Sequence, residues 1–360
     1  MSSIRINKKT EEEILVSNVR AVSGLDKIQV AEELSKASIM AISVGKNALE
    51  KVIPLIAEGL KIRYKSAPDL PLDIIIAENM RSAGEFIRHQ LKVYLPNYYP
   101  MEKLVGLVET SIGKMVPIMK ETDLGKDQLL VYAEPYNTLI LDRNGFKCSI
   151  PAVKGLAPKN NIQAWVDRKA FIHNLGHATV AYYGFLKYPG AKYVYEVLKD
   201  KDVYSFAHRV MHQAAEVLQV IYPDDYSLQN LEEHIDDLLE RFQNKALQDT
   251  LFRAGKDLYR KLSSDDRFVG IIRLAIQQGM AYNNILEAMV YGLFFRCTDE
   301  YGKLFPSDKD FFDNFNRKGL DYILQAICMF DPNIDLHLIK KINKLYVDLR
   351  LKFLNSINKN

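Results

Sequence analysis

Residues 166–178 place an amine, an amide and two imidazoles in one short stretch: Lys169, Asn174, His173 and His177. At about 100° per residue of α-helix, Lys169, His177 and Asn174 project at about 0°, 80° and 140°. One helix face can therefore offer an amine, an amide and an imidazole to a single cleft. An asparagine in mid-helix near Gly176 costs helix propensity, which favours a purpose for it. A solvated helix face with incidental polar residues is the plain alternative. The histidines admit a second chemistry. His173 and His177 stand four apart, as do His208 and His212, and each pair could hold a metal from one helix face. Against that, no Glu occupies the HExxH position, and such spacings arise easily by chance.

The elements that must carry these residues fall into two groups. Residues 1–155 read as a partial Rossmann-like dinucleotide-binding domain. The apolar run from Ser38 to Gly45 ends in glycine, as buried parallel strands do, and residues 47–61 follow at helical spacing. A strand over 73–77, a helix over 78–94 and a strand over 103–108 complete two βαβ connections, which imply a parallel sheet. Residues 125–160, with Gly125, Pro135, Gly145, Pro151, Gly155 and Pro158, read as loop-rich and hold the boundary. Residues 156–360 read as a helical substrate and catalytic domain, with a helix over 166–186 and Ser227 among the candidate caps. The fold class is α/β plus all-α.

Bulk properties narrow the class. A length of 360 residues suits two cores. A formal charge of +3, with 48% hydrophobic and 26% charged residues, gives no basic footprint for nucleic acid. The three cysteines, Cys148, Cys297 and Cys328, are far apart and read as reduced, buried thiols. The polar start shows no signal peptide, and no apolar run approaches the ~20 residues of a membrane span. A cytoplasmic monomer or homodimer with a small-molecule partner is expected.

Several segments then match one family in order. Lys169-x4-Asn174-x2-His177 resembles the K-x4-N-x2-H signature of the polyol-specific long-chain dehydrogenases, which include mannitol dehydrogenases. Residues 75–80 (IIAENM) resemble "ACENM", residues 40–45 (MAISVG) "TTAVG", and residues 108–117 (VETSIGKMVP) "VDSAVDRIVP". Residues 174–178 (NLGHA) resemble "NTGHA", residues 260–267 (RKLSSDDR) "RKLSAGDR", and Phe295-Arg296 "HFRS". The last two point to the mannitol-1-phosphate 5-dehydrogenase branch.

The resemblance implies metal-free hydride transfer between a secondary alcohol and NAD, with NADP not excluded. It makes Lys169 the base, which needs a pKa lowered by burial or nearby positive charge. It makes Asn174 and Asn79 amide donors to the reacting oxygen. His177 would donate to a substrate hydroxyl or help depress the lysine. Ser43, Gly45 and Asn79 mark the strand ends left for the cofactor, although Asn79 also suits a simple capping role. Arg260, Lys261, Arg267 and Arg296 are candidates for a substrate phosphate; pairing with Asp265, Asp266 and Asp299 is their plain alternative. The best-matching reaction is mannitol 1-phosphate to fructose 6-phosphate.

Two departures qualify this. The family opens with a strand, a glycine-rich turn and a helix that cradle the pyrophosphate, yet no GxGxxG precedes residue 45. The chain is expected to enter the pattern at about the fourth strand, leaving the strand near Met40 with an unpaired edge. Gly113 and Lys114 stand where the family has Asp-Arg, and Tyr282-Asn283 replaces a His-Lys pair. The alternatives are a hexuronate or free-polyol dehydrogenase, a sugar-binding remnant without NAD, and a metal hydrolase resting on the histidine pairs.

Overall fold

The computed structural model describes residues 2–6, 12–78, 82–117, 119 and 129–357. Contacts divide the chain into two units, Met1–Val166 and Asp167–Asn360. In chain order the first unit runs β1 (Ser2–Ile6), β2 (Glu12–Val16), α1 (Lys27–Lys36), β3 (Ile39–Ile42), α2 (Lys46–Ser66) and β4 (Leu72–Ile76). It continues with α3 (Ala83–Tyr94), α4 (Met101–Leu104), β5 (Val105–Ile112), β6 (Val131–Ala133), β7 (Leu139–Asp142) and β8 (Leu156–Lys159).

A strand covered on both faces needs apolar side chains at nearly every position. β4 meets this with Leu72, Ile74 and Ile76, each at most 1% exposed. It runs parallel to β3 and β5, with Ile74 opposite both Met40 and Leu107. The crossovers α2 and α3 bury Ile53, Leu60 and Ile87 in the same core as Leu107. Each such side chain contributes roughly 1.5–3 kcal/mol relative to exposure. Arg63, 5% exposed, pins one corner by donating to the carbonyls of Ser35, Ala37, Leu70 and Pro71 at 2.8–3.1 Å.

Among the described residues β3 pairs with β4 alone, so its other edge carries no strand. Residues 125–160 are not simply the loop predicted from their Pro and Gly content. β7 pairs antiparallel with β5, β8 parallel with β7, and β6 parallel with β1 in a separate three-stranded sheet completed by β2. Pro158 is tolerated because β8 is an edge strand. The third predicted strand also starts later, since residues 101–104 are helical.

The second unit opens within α5 (Ile162–Arg168), passes through a π-helical segment, Lys169–Asn174, and continues as α6 (Leu175–Lys187). Then come α7 (Val194–Val197), α8 (Lys201–Ile221), α9 (Leu228–Phe242), α10 (Leu251–Gly255), α11 (Leu258–Lys261), α12 (Val269–Gln277) and α13 (Asn283–Gly292). α14 (Pro306–Tyr322), a second π-helical segment (Ile323–Ile327) and α15 (Leu336–Ile357) close the chain. The Asp200 and Ser227 side chains cap α8 and α9.

α6 is the hub. Leu175, Ala178, Ala181 and Tyr182 are fully buried, and α6 touches α8, α10 and α13. Gly176 permits the close approach of α8, because a Cβ there would lie 2.3 Å from Met211 Sδ. Of the cysteines only Cys328 is buried; Cys148 and Cys297 are half-buried, because each lies near a loop. No helix among the described residues is long and apolar enough to cross a membrane.

Gly255 ends α10 against the ring of Phe295, where a Cβ would lie 2.2 Å from the ring's Cζ. Phe295 is 2% exposed and packs on Tyr182 and Phe185, so it cannot swing away as a flexible chain would. Gly255→Ala is predicted to cost about 1–3 kcal/mol of stability, read as a lower urea midpoint.

Candidate active site

The uniform helix predicted over 166–186 is interrupted. Lys169–Asn174 is π-helical, so each residue turns through less than in an α-helix and the projection angles above do not apply. Single π turns inside helices recur at functional sites. This one holds Lys169 and Asn174, and His177 follows in the first turn of α6.

Arg267 stabilises the interruption. It is 5% exposed, and its Nη1 donates to the Asn174 carbonyl at 3.1 Å while its Nε donates to Asp266 at 2.7 Å. The same guanidinium acts on Lys169. Burial chiefly, and the charge of Arg267 next, bring the Lys169 amine from 10.5 down to about 8. Such an amine is substantially neutral at mildly alkaline pH and can take a proton. The Asn174 amide has no hydrogen-bond partner among the described residues, which leaves it available to a ligand oxygen.

His177 is tied in the other direction. Its Nε2 lies 2.7 Å from Oδ2 of Asp249, whose Oδ1 accepts from Arg253 at 3.2 Å. Burial alone would raise the Asp249 carboxyl, but His177 and Arg253 outweigh it and hold it below the usual carboxylate range. The rings of His177 and His173 both rest on Phe242, at 5.0 and 5.5 Å. His173 is pushed well below 6.5, first by burial and then by the positive groups around it, and stays neutral. Sequence reasoning missed Asp249 and Arg253, which lie 72 or more positions beyond His177. The nearest local signal was Thr250, which caps α10 three residues before Arg253.

Of the other candidate cations, Arg260 shares Asp266 with Arg267, and Lys261 feels the charge of both. Arg260 pairs with Asp257 at 2.6 Å and Asp266 at 3.4 Å. Lys261, 3% exposed, donates to the Ala254 carbonyl. Burial first, then Arg267 and Arg260, drive its amine well below 10.5. Arg296 Cζ lies over the Phe312 ring, 3.0 Å from its centroid, and the side chain donates to the Leu293 carbonyl and is lowered to about 10 by burial. Lys261 and Arg296 make no ion pair with a carboxylate among the described residues. Arg260 pairs with Asp257 and Asp266, and Arg267 with Asp266, so one of the three expected carboxylates, Asp266, is a partner and Asp257 is added to it.

In the sheet unit, Ser43 is exposed and Gly45 starts α2 with φ +81°. The Val44 and Gly45 amides point at the Glu78 carboxylate at 2.7–3.2 Å. That nest already holds an anion. It suits hydroxyls such as those of a riboside and repels phosphate. Asn79 lies outside the described residues. Lys114 is turned onto the Tyr136 carbonyl at 2.8 Å. Each histidine of the second pair faces a carboxylate, His212 to Glu232 at 2.9 Å and His208 to Asp236 at 3.5 Å. Among the described residues no three His, Cys, Asp or Glu side chains gather as metal ligands would.

A parallel α/β unit followed by a helical unit is a two-part α/β plus all-α architecture. The profile of the mannitol dehydrogenase Rossmann domain matches residues 2–155, and that of the mannitol dehydrogenase C-terminal domain matches residues 161–335. The chain belongs to the mannitol dehydrogenase family. Its fold is similar to that of Pseudomonas fluorescens mannitol 2-dehydrogenase, solved as a ternary complex with NAD and D-mannitol. The TM-score is 0.73 at 15% identity, covering 100% of this chain and 83% of that one. It is also similar to a D-sorbitol dehydrogenase in substrate-free form, with TM-score 0.69 at 17% identity, covering 84% and 71%. At these identities the likeness is one of fold.

Arg267→Gln removes a positive charge beside Lys169 while leaving its burial. The amine is therefore predicted to titrate above 8 but short of 10.5. The pH dependence of Lys169 labelling by an amine reagent, followed by mass spectrometry, reads this directly; an unchanged midpoint would contradict it.

Proposed function

We propose that this chain is a metal-independent, NAD-linked polyol dehydrogenase. The observation that carries the reading is the Lys169 amine brought to about 8 beside an unengaged amide. Bound NAD would supply the hydride acceptor, with Ser43, Gly45 and Asn79 on its side of the chemistry. The carboxylate-filled nest at Gly45 favours the hydroxyl-bearing riboside over the phosphates. NADP in place of NAD would serve the same chemistry.

The protein's own groups then have distinct tasks. Lys169 Nζ, when neutral, takes the proton of the substrate hydroxyl as its carbon is oxidised to the ketone. The Asn174 amide donates to the oxygen on which negative charge grows. Arg267 keeps the amine's proton loosely held and the π turn in place. In the reverse direction the protonated lysine returns the proton to the carbonyl oxygen.

The finer reading is a polyol phosphate, mannitol 1-phosphate to fructose 6-phosphate. The 260–267 and 295–296 motifs support it, as do Lys261 and Arg296, the two of the four candidate cations with no carboxylate ion pair among the described residues. A free polyol is the second reading. Arg260 and Arg267, already neutralised by Asp257 and Asp266, favour it.

Alcohol oxidation is predicted to rise with pH through about 8, because the neutral amine is the active form. Lys169→Ala should lower kcat by ~10²–10⁴-fold; a variant that keeps most of its rate removes Lys169 as base. A panel of mannitol, sorbitol and hexuronates with their phosphates separates the substrate readings. With a phosphate substrate, Arg296→Ala should raise KM by ~10-fold or more, as for a lost charge-assisted contact; with a free polyol it should leave KM nearly unchanged.

A further inference from the structure

The pair formed by His177 and Asp249 fixes more than a ring position. An ionised carboxylate can only accept hydrogen bonds. A 2.7 Å contact between Asp249 Oδ2 and His177 Nε2 therefore places the hydrogen on Nε2. In a neutral imidazole the other nitrogen is then bare. Nδ1 of His177 has no hydrogen-bond partner among the described residues, and the side chain keeps 19% of its surface open.

Neither partner is free to turn. Asp249 is 8% exposed, and its second oxygen is held by Arg253 at 3.2 Å. Its carbonyl accepts from the Val194 amide at 2.9 Å, and Tyr193 bridges to Thr250 next door. The His177 ring lies against Phe242 with 36° between planes. His173 lies on the preceding turn against the same Phe242 ring. Arg241 and His234 of α9 act on His173, and Arg253 stands behind Asp249. Among the described residues no carboxylate is paired with His173, so of these two neighbouring imidazoles it is His177 that has this device.

We propose that Asp249 is a positioning residue that fixes His177 as the tautomer with Nδ1 bare, so that neutral His177 meets a substrate hydroxyl as a hydrogen-bond acceptor. This rests on the dehydrogenase reading for its role in turnover, but the tautomer itself does not. It reverses the donor role that the sequence suggested for His177. A hydroxyl that donates to Nδ1 keeps its own oxygen free to accept, so the His177 site selects for a hydroxyl and against an ether or a carbonyl at that place on the substrate.

The test is long-range ¹H–¹⁵N NMR of the histidine side chains in the full chain, with His177 assigned through His177→Gln. Wild type should show protonated Nε2 and bare Nδ1. In Asp249→Asn the amide can donate to Nε2, so the bias should be lost; Asp249→Glu should restore it. A protonated Nδ1 in neutral wild type overturns the proposal whether or not any variant folds, and so does an unchanged tautomer in folded Asp249→Asn. With a turned-over polyol, Asp249→Asn should lose ~10²-fold in kcat/KM and Asp249→Glu should recover most of it. A lost bias without a rate effect overturns the positioning role. If no polyol is oxidised by wild type, the dehydrogenase reading fails while the NMR result still decides the tautomer.

Discussion

A half-buried lysine amine beside a guanidinium resists carrying charge, and the helical unit is organised around that resistance. Lowering Lys169 from 10.5 to about 8 is on the order of 3 kcal/mol against the ammonium form. Arg267 can exert its share only because it is buried, and it can be buried only because Asp266 pairs with it. Another of its N–H groups goes to Asn174, whose carbonyl lies at the end of the π turn. The charge that tunes the amine and the bond that steadies the amine's backbone are thus one side chain.

The same logic of paired burial runs outward from the lysine. On one side Asp249 joins Arg253 to His177. On the other, Asp257 and Asp266 hold Arg260, and Asp308 accepts the Asp257 and Leu258 amides at 2.9 and 2.7 Å. Lys261 and Arg296 sit at the margin of this network with no carboxylate ion pair among the described residues. A buried cation left so is costly in isolation, which is why both find a carbonyl and Arg296 an aromatic face.

Much of this was legible because it is local. The Lys169, Asn174 and His177 spacing lies within nine residues, and 3.6-residue periodicity marks α8 and α9 plainly. The apolar run of β4 likewise announces a strand buried on both faces. What could not be read was long-range or subtle. The π turn keeps an apolar pattern indistinguishable from that of an α-helix, so the projection angles came out wrong. Asp249 reaches His177 across 72 positions, and nothing local distinguishes it from a solvated aspartate. β7 and β8 are four residues each and lie among Pro and Gly that read as loop; their pairing with β5 and with each other is what makes them strands. Of the carboxylates expected to pair with the cations, Asp266 does so, and Asp257, which the sequence did not mark, holds Arg260 beside it.

The account turns on the protonation of one amine. The direct measurement is a pH titration of the Lys169 side-chain nitrogen by ¹⁵N NMR in the wild-type chain, with the signal assigned through Lys169→Arg. The structure predicts a midpoint near 8. A midpoint near 10.5, the value of an ordinary lysine, would mean that neither burial nor Arg267 makes this residue a base and would contradict the mechanism at its centre.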